Sequence, residues 1–234
     1  MTDYARIERT LVNALGLPNR PIAIAIRDTP PPGVARVAGS HPSGCSFWRL
    51  AAEGRVFYTV PEDHHNCPIG SYTHNMPLPA ARASELTKTL TFMTGIGYLK
   101  MEEVPGIPTL PSTPGVVVYA PLGETPVDPD AVLFMGAPGR LMLLHEAALR
   151  AGITSQPALL GRPTCMAVPA ALGDALVSSL GCVGNRVYTD LPDSDYYVSV
   201  TGSRVAALAA EVGVIASANA TLAEYHRGRR AAIA

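Results

Sequence analysis

Val116-Val117-Val118-Tyr119-Ala120 and Ala131-Val132-Leu133-Phe134-Met135 are two short runs rich in β-branched and aromatic residues. A turn through Pro126 and Asp128-Pro129 separates them. GRLMLLHEAALRA follows over 139–151, with apolar residues at helical spacing and Gly152 as its stop. Strand, strand and amphipathic helix within 37 residues point to a layered α/β or α+β domain with a mixed sheet. The same reading works outward. YARIERTLVNAL over 4–15 predicts a helix ended by Gly16, and Pro21 to Arg27 a largely buried strand. Cys45 opens a short helix, and RVFYTV over 55–60 predicts a strand. Residues 61–70 read as a loop, 83–94 as a helix, and 104–114 as a Pro-rich connector. In the second half, Met166 to Leu180 reads as helical, 181–186 as a turn, and Tyr196 to Val200 as a strand. Helices are expected over Ser203 to Glu211 and about 217–231. One domain over 1–234 is expected, with halves at 1–104 and 115–234.

Composition narrows the function class. Hydrophobic residues are 47% and charged residues 16%, so polar cover is thin and a homo-oligomer interface is expected. The net charge of −1 offers no basic stripe, which argues against nucleic acid as a partner. Arg227, Arg229 and Arg230 read as a solvated tail. The N-terminus carries Asp3 and no apolar signal core, and no run is read as long enough to span a bilayer. A cytoplasmic location with a small-molecule partner is therefore expected, where disulfides are disfavoured.

Four cysteines then need another explanation. They stand in Ser43-Gly44-Cys45, Asn66-Cys67-Pro68-Ile69-Gly70, Pro163-Thr164-Cys165 and Gly181-Cys182-Val183-Gly184. Thiolates gain from backbone N–H groups aimed at them, and such arrays form at glycine turns and helix N-termini. Cys45, Cys67, Cys165 and Cys182 are accordingly the candidate ligands of one iron–sulfur cluster, with 4Fe–4S the expected form. The spacing contains no Cys-x-x-Cys, so neither a zinc ribbon nor a thioredoxin motif is supported. Each half also runs from a buried strand to a cysteine, a helical stretch and a second cysteine in a turn, a weak two-fold echo.

Glu62-Asp63-His64-His65-Asn66-Cys67 packs two carboxylates, two imidazoles and a thiol into six residues. His64 or His65 is the candidate proton carrier, with Glu62 beside it, and adjacent side chains cannot both face one site in an extended chain. Arg186 is the candidate anion clamp. His145 and Trp48 read as structural. Nucleotide-dependent transfer, serine hydrolysis and zinc proteolysis have no motif here. The expected function is lyase- or hydratase-like, desulfurising or redox chemistry at the cluster. Two alternatives stay open. One is a metal-free enzyme with Cys67 as nucleophile beside His65; the other is a non-catalytic binder of zinc, haem or a small molecule.

The stretch from Cys45 through Phe57-Tyr58, continued by Glu62 to Tyr72, resembles the bacterial and archaeal family called domain of unknown function 169. Cys165, the Gly181–Arg186 turn and the Pro129 to Leu133 strand entry are similar to that family's pattern too. The resemblance runs from about Pro21 to Glu211 and implies that the cysteines act together, with no settled reaction. It departs at the His64-to-Cys67 link, which is one residue longer than in the family's pattern. That leaves His64 and His65 as alternatives for the equivalent position.

Overall fold

The computed structural model describes residues 2–233 except Gly161 and Asp174, with backbone alone over 156–160. Its centre is one mixed sheet of strands β1 (Ile22–Arg27), β2 (Phe57–Thr59), β3 (Val116–Pro121), β4 (Ala131–Gly136), β5 (Thr154–Leu160), β6 (Ala175–Ser179) and β7 (Tyr196–Thr201). The spatial order is β2-β3-β1-β4-β7-β6-β5. Every pairing is antiparallel except β5 with β6.

Helices cover both faces, because β1 and its neighbours are apolar on both. Ala23, Val132, Phe134, Val198 and Val200 meet Leu11 and Leu15 of α1 (Tyr4–Leu15), Leu141 and Leu144 of α6 (Pro138–Arg150), and Leu208 and Val212 of α9 (Val205–Ile233). The opposite side chains, Ile22, Ile24, Val117, Tyr119, Leu133 and Tyr197, meet Phe47, Trp48 and Ala51 of α2 (Cys45–Ala52) and Val168 and Ala171 of α7 (Ala167–Ala171). Each large apolar side chain so buried contributes roughly 1.5–3 kcal/mol. Cys45 and Cys165 belong to this second layer.

Two strand triplets meet at the β1–β4 seam and correspond in register. Ile22 faces Pro121 across β1–β3 as Ala131 faces Thr201 across β4–β7. Thr59 faces Val117 across β2–β3 as Ser179 faces Tyr197 across β6–β7. Cys45 stands twelve residues before Phe57, and Cys165 twelve before Val177, which occupies the corresponding place in β6. Strand β5, on the outer side of β6, has no counterpart in the first triplet.

Several elements differ from the sequence expectation. Residues 61–70 are not an open loop but carry two short helices, α3 (Pro61–His64) and the first half of α4 (Pro68–Thr73). The helix expected over 166–180 stops at Ala171, and 175–179 form β6, buried throughout. An apolar run buried on both faces has no alternation to distinguish it from a buried helix. The turn after Gly181 winds into α8 (Val183–Thr189), and the two C-terminal helices are one, α9. The stretch Gly202–Ile233 is long and apolar enough to cross a membrane by length and composition, which corrects the reading that no segment was. Its first turns instead pack on the core through Val205, Leu208, Ala209 and Val212.

A candidate cysteine centre

The four cysteines come from four helix starts. Gly44 leads into Cys45, the first residue of α2. Cys67 is the N-cap of α4, and its Sγ accepts from the Gly70 N–H at 3.3 Å. Pro68 follows at the first helical position, where no N–H is needed. Cys165 lies in the 3₁₀ turn Thr164–Met166 that leads into α7. Cys182 is the N-cap of α8, and its Sγ accepts from the Asn185 N–H at 3.5 Å. The two capping thiols thus take the place usually held by a serine or aspartate oxygen, facing the positive end of a helix.

All four thiols line one cavity of about 720 Å³. Burial pushes the Cys45 thiol well up, with the charges of Cys165, Cys182 and Cys67 adding to it. Burial likewise raises Cys165, reinforced by Cys67 and Cys182, while a hydrogen bond from Thr73 opposes. Cys67 is raised by burial, opposed by the Gly70 N–H, and raised again by Cys182. Together these interactions connect every pair of the four thiols. Burial and the neighbouring charges therefore favour the neutral form of Cys45, Cys67 and Cys165, since like charges in low dielectric are costly.

The cavity extends past the thiols along an apolar wall. Leu90 and Met93 of α5 (Ser84–Gly95) form part of it, with Leu99 and, from the connector, Val104 and Ile107. Glu103 and Arg162 are the charged residues among those lining it. They pair at 3.2 Å, and the Arg162 guanidinium lies 4.8 Å from the Tyr98 ring centroid. The sequence offered no signal for this wall, which exists only once the chain folds the connector over the cysteines. Among the described residues no three His, Cys, Asp or Glu side chains are spaced to hold a single metal ion.

The structure does not bring the other candidates to the cavity wall. His64 is turned inward by α3, with Nε2 2.8 Å from Thr59 Oγ1 and Nδ1 buried without a partner. Its ring stacks on His74 at 5.7 Å. Burial holds His64 well below its usual range, with His74 and His65 adding to the effect, and pushes His74 down to about 4. Both are neutral imidazoles behind the cysteine loops. His65 is half-buried and Glu62 exposed. Arg186 donates to the carbonyls of Pro192 at 2.8 Å, Leu180, and Asp195 at 3.1 Å, so its guanidinium braces the loop between α8 and β7. Trp48 is a core residue, and His145 bridges to Ser178 Oγ at 3.0 Å.

A family model described as uncharacterised ArCR, the domain of unknown function 169, matches residues 10–211. A protein of Methanocaldococcus jannaschii described as uncharacterized is 29% identical over 168 residues, covering 66% of this chain and 69% of that protein. No solved structure matches. The match takes in all four cysteine turns and all seven strands, and the chain belongs to the family of domain of unknown function 169.

Proposed function

We propose that Cys45, Cys67, Cys165 and Cys182 hold an iron–sulfur cluster, with 4Fe–4S the expected form, and that a small molecule is processed in the cavity beside it. The observation that supports this most is the convergence of four thiols from four separate helix starts on one cavity. Thiolates gathered this closely repel one another, and iron removes that repulsion.

The residues support a division of labour. The Gly70 and Asn185 N–H groups stabilise charge on the Cys67 and Cys182 sulfurs. The apolar wall from Leu90 to Ile107 limits water, and Arg162 with Glu103 supplies polarity at the rim. A cluster bound there would supply either an electron or, with one iron free of protein ligands, a Lewis acid. A metal-free nucleophile is less well supported, because it needs a thiol held low and Cys67 is pushed up.

Anaerobic reconstitution of the four single Cys→Ala variants tests the ligand set. Loss of iron and sulfide in all four indicates four protein ligands and favours electron transfer. Retention in one variant alone identifies the open iron and favours Lewis-acid chemistry. Full loading in every variant would sink the assignment.

A further inference from the structure

One charged pair interrupts the apolar wall of the cysteine cavity. Leu90, Met93, Leu99, Val104 and Ile107 form that wall, and Glu103 and Arg162 are the charged residues among those lining the cavity. Arg162 Nη2 donates to Glu103 Oε2 at 3.2 Å. The same oxygen accepts from the Lys100 N–H at 3.3 Å, where Glu103 caps the 3₁₀ turn Met101–Gly106. The two partners therefore depend on each other unequally. Glu103 keeps the Lys100 N–H when Arg162 leaves it. The Arg162 guanidinium lies 4.8 Å from the Tyr98 ring centroid, a contact that holds it at the cavity when Glu103 leaves. Both side chains are half-exposed, and an ion pair so placed contributes little to stability. A carboxylate brought by a ligand can exchange with that of Glu103 at small cost.

We propose that the cavity takes a monocarboxylic acid with an apolar body, its carboxylate held by Arg162 in place of Glu103. This names a substrate class for the small molecule of the reading above and rests on its entering this cavity, though not on the cluster. A guanidinium presents a planar fork that matches a carboxylate with two parallel hydrogen bonds. Glu103 already fills that seat with a carboxylate of the chain itself, through Nη2. A free ligand is not tied to a backbone turn and can meet the fork with both oxygens. Its body then lies along the wall from Leu90 to Ile107, where burial of apolar surface supplies affinity. The volume of about 720 Å³ falls within the range of about 300–1,000 Å³ usual for small-molecule sites. An alcohol of the same length leaves Arg162 with Glu103. An amine has to take Glu103 and leave the guanidinium without its carboxylate.

The test is calorimetric titration of the full-length protein, metal-free and reconstituted, with iron and sulfide measured on the same samples. The probes are octanoate, octanol and octylamine. Wild type is expected to bind octanoate about tenfold more tightly than either of the others. Arg162→Gln is expected to bind octanoate about tenfold more weakly, with octanol binding unchanged as the sign that the wall is intact. Glu103→Gln removes the competing charge, leaves Arg162 in place and is expected to bind octanoate about threefold more tightly. Octanol bound as tightly as octanoate, or octanoate affinity unchanged in Arg162→Gln, overturns the inference. A reconstituted protein that holds iron and sulfide but binds no octanoate in either form overturns the inference and leaves the cluster reading intact. Octanoate binding that depends on Arg162 in a protein that takes up neither iron nor sulfide supports the inference and overturns the cluster.

Discussion

Raising the pH of the metal-free, reduced protein from 8 to 10 is expected to unfold it progressively. Burial raises Cys45, Cys67 and Cys165 above the ordinary thiol value of 9.0. The unfolded chain therefore releases these protons first. Stability from the buried neutral thiols is fully present below about pH 9 and is lost as pH rises beyond it. Each retained proton gives a slope of about 1.4 kcal/mol per pH unit, so Cys45 and Cys165, raised furthest, together approach about 2.7 kcal/mol per unit by pH 10, with Cys67 adding in the same direction. Domains are stable by about 5–15 kcal/mol, so the loss is large. Tyr197, pushed up to about 12 by burial, adds to this only above the ordinary tyrosine range. Urea denaturation at half-unit pH steps, with a reductant present, measures the slope. Cys165→Ala should reduce it by up to about half. A denaturation midpoint that stays flat from pH 8 to 10 refutes the claim that these thiols are buried together in neutral form.

The acid limb has a different origin. His64 and His74 are held below the imidazole range, so stability is full above about pH 6.5 and falls as pH drops toward 4; a slope approaching about 2.7 kcal/mol per unit is expected, roughly halved in His74→Gln. Arg186→Leu removes three hydrogen bonds to carbonyls and should cost about 1.5–3 kcal/mol in thermal or urea unfolding while leaving cluster content unchanged; normal stability with lost activity would restore Arg186 as a substrate clamp. Gly202→Ala places a Cβ 1.8 Å from the Pro129 carbonyl oxygen, where β7 leaves the sheet, so poor expression or a strongly lowered melting temperature is expected.

How much of this was legible in the sequence depends on what each residue answers to. Helix α1 is written locally, with periodic apolar residues and Gly16 at φ 59° closing it. Strands β1, β3 and β4 announce themselves by β-branched content and flanking turns. Strand β6 does not, because Ala175-Leu176-Val177-Ser178-Ser179 is buried on both faces and follows a helix after only a short turn. The β5 segment carries Pro157 and gave no strand signal, yet it sits at the sheet edge, where proline is tolerated. The cysteine turns were legible because glycine, proline and helix starts mark them. The acid–histidine loop reads as exposed in the sequence, whereas α3 turns His64 into the interior, where it meets Thr59 and does not line the cavity. Nothing near Tyr98 or Glu103 signalled a binding wall, because only the tertiary path of the chain after α5 brings them to the cysteines and to Arg162.

The visible spectrum of protein purified without oxygen, with iron and acid-labile sulfide assayed on the same sample, tests the central claim most directly. Broad absorption at roughly 400 nm with iron and sulfide in comparable amounts is expected. Protein that is colourless and lacks both iron and sulfide, even after anaerobic reconstitution, would contradict it.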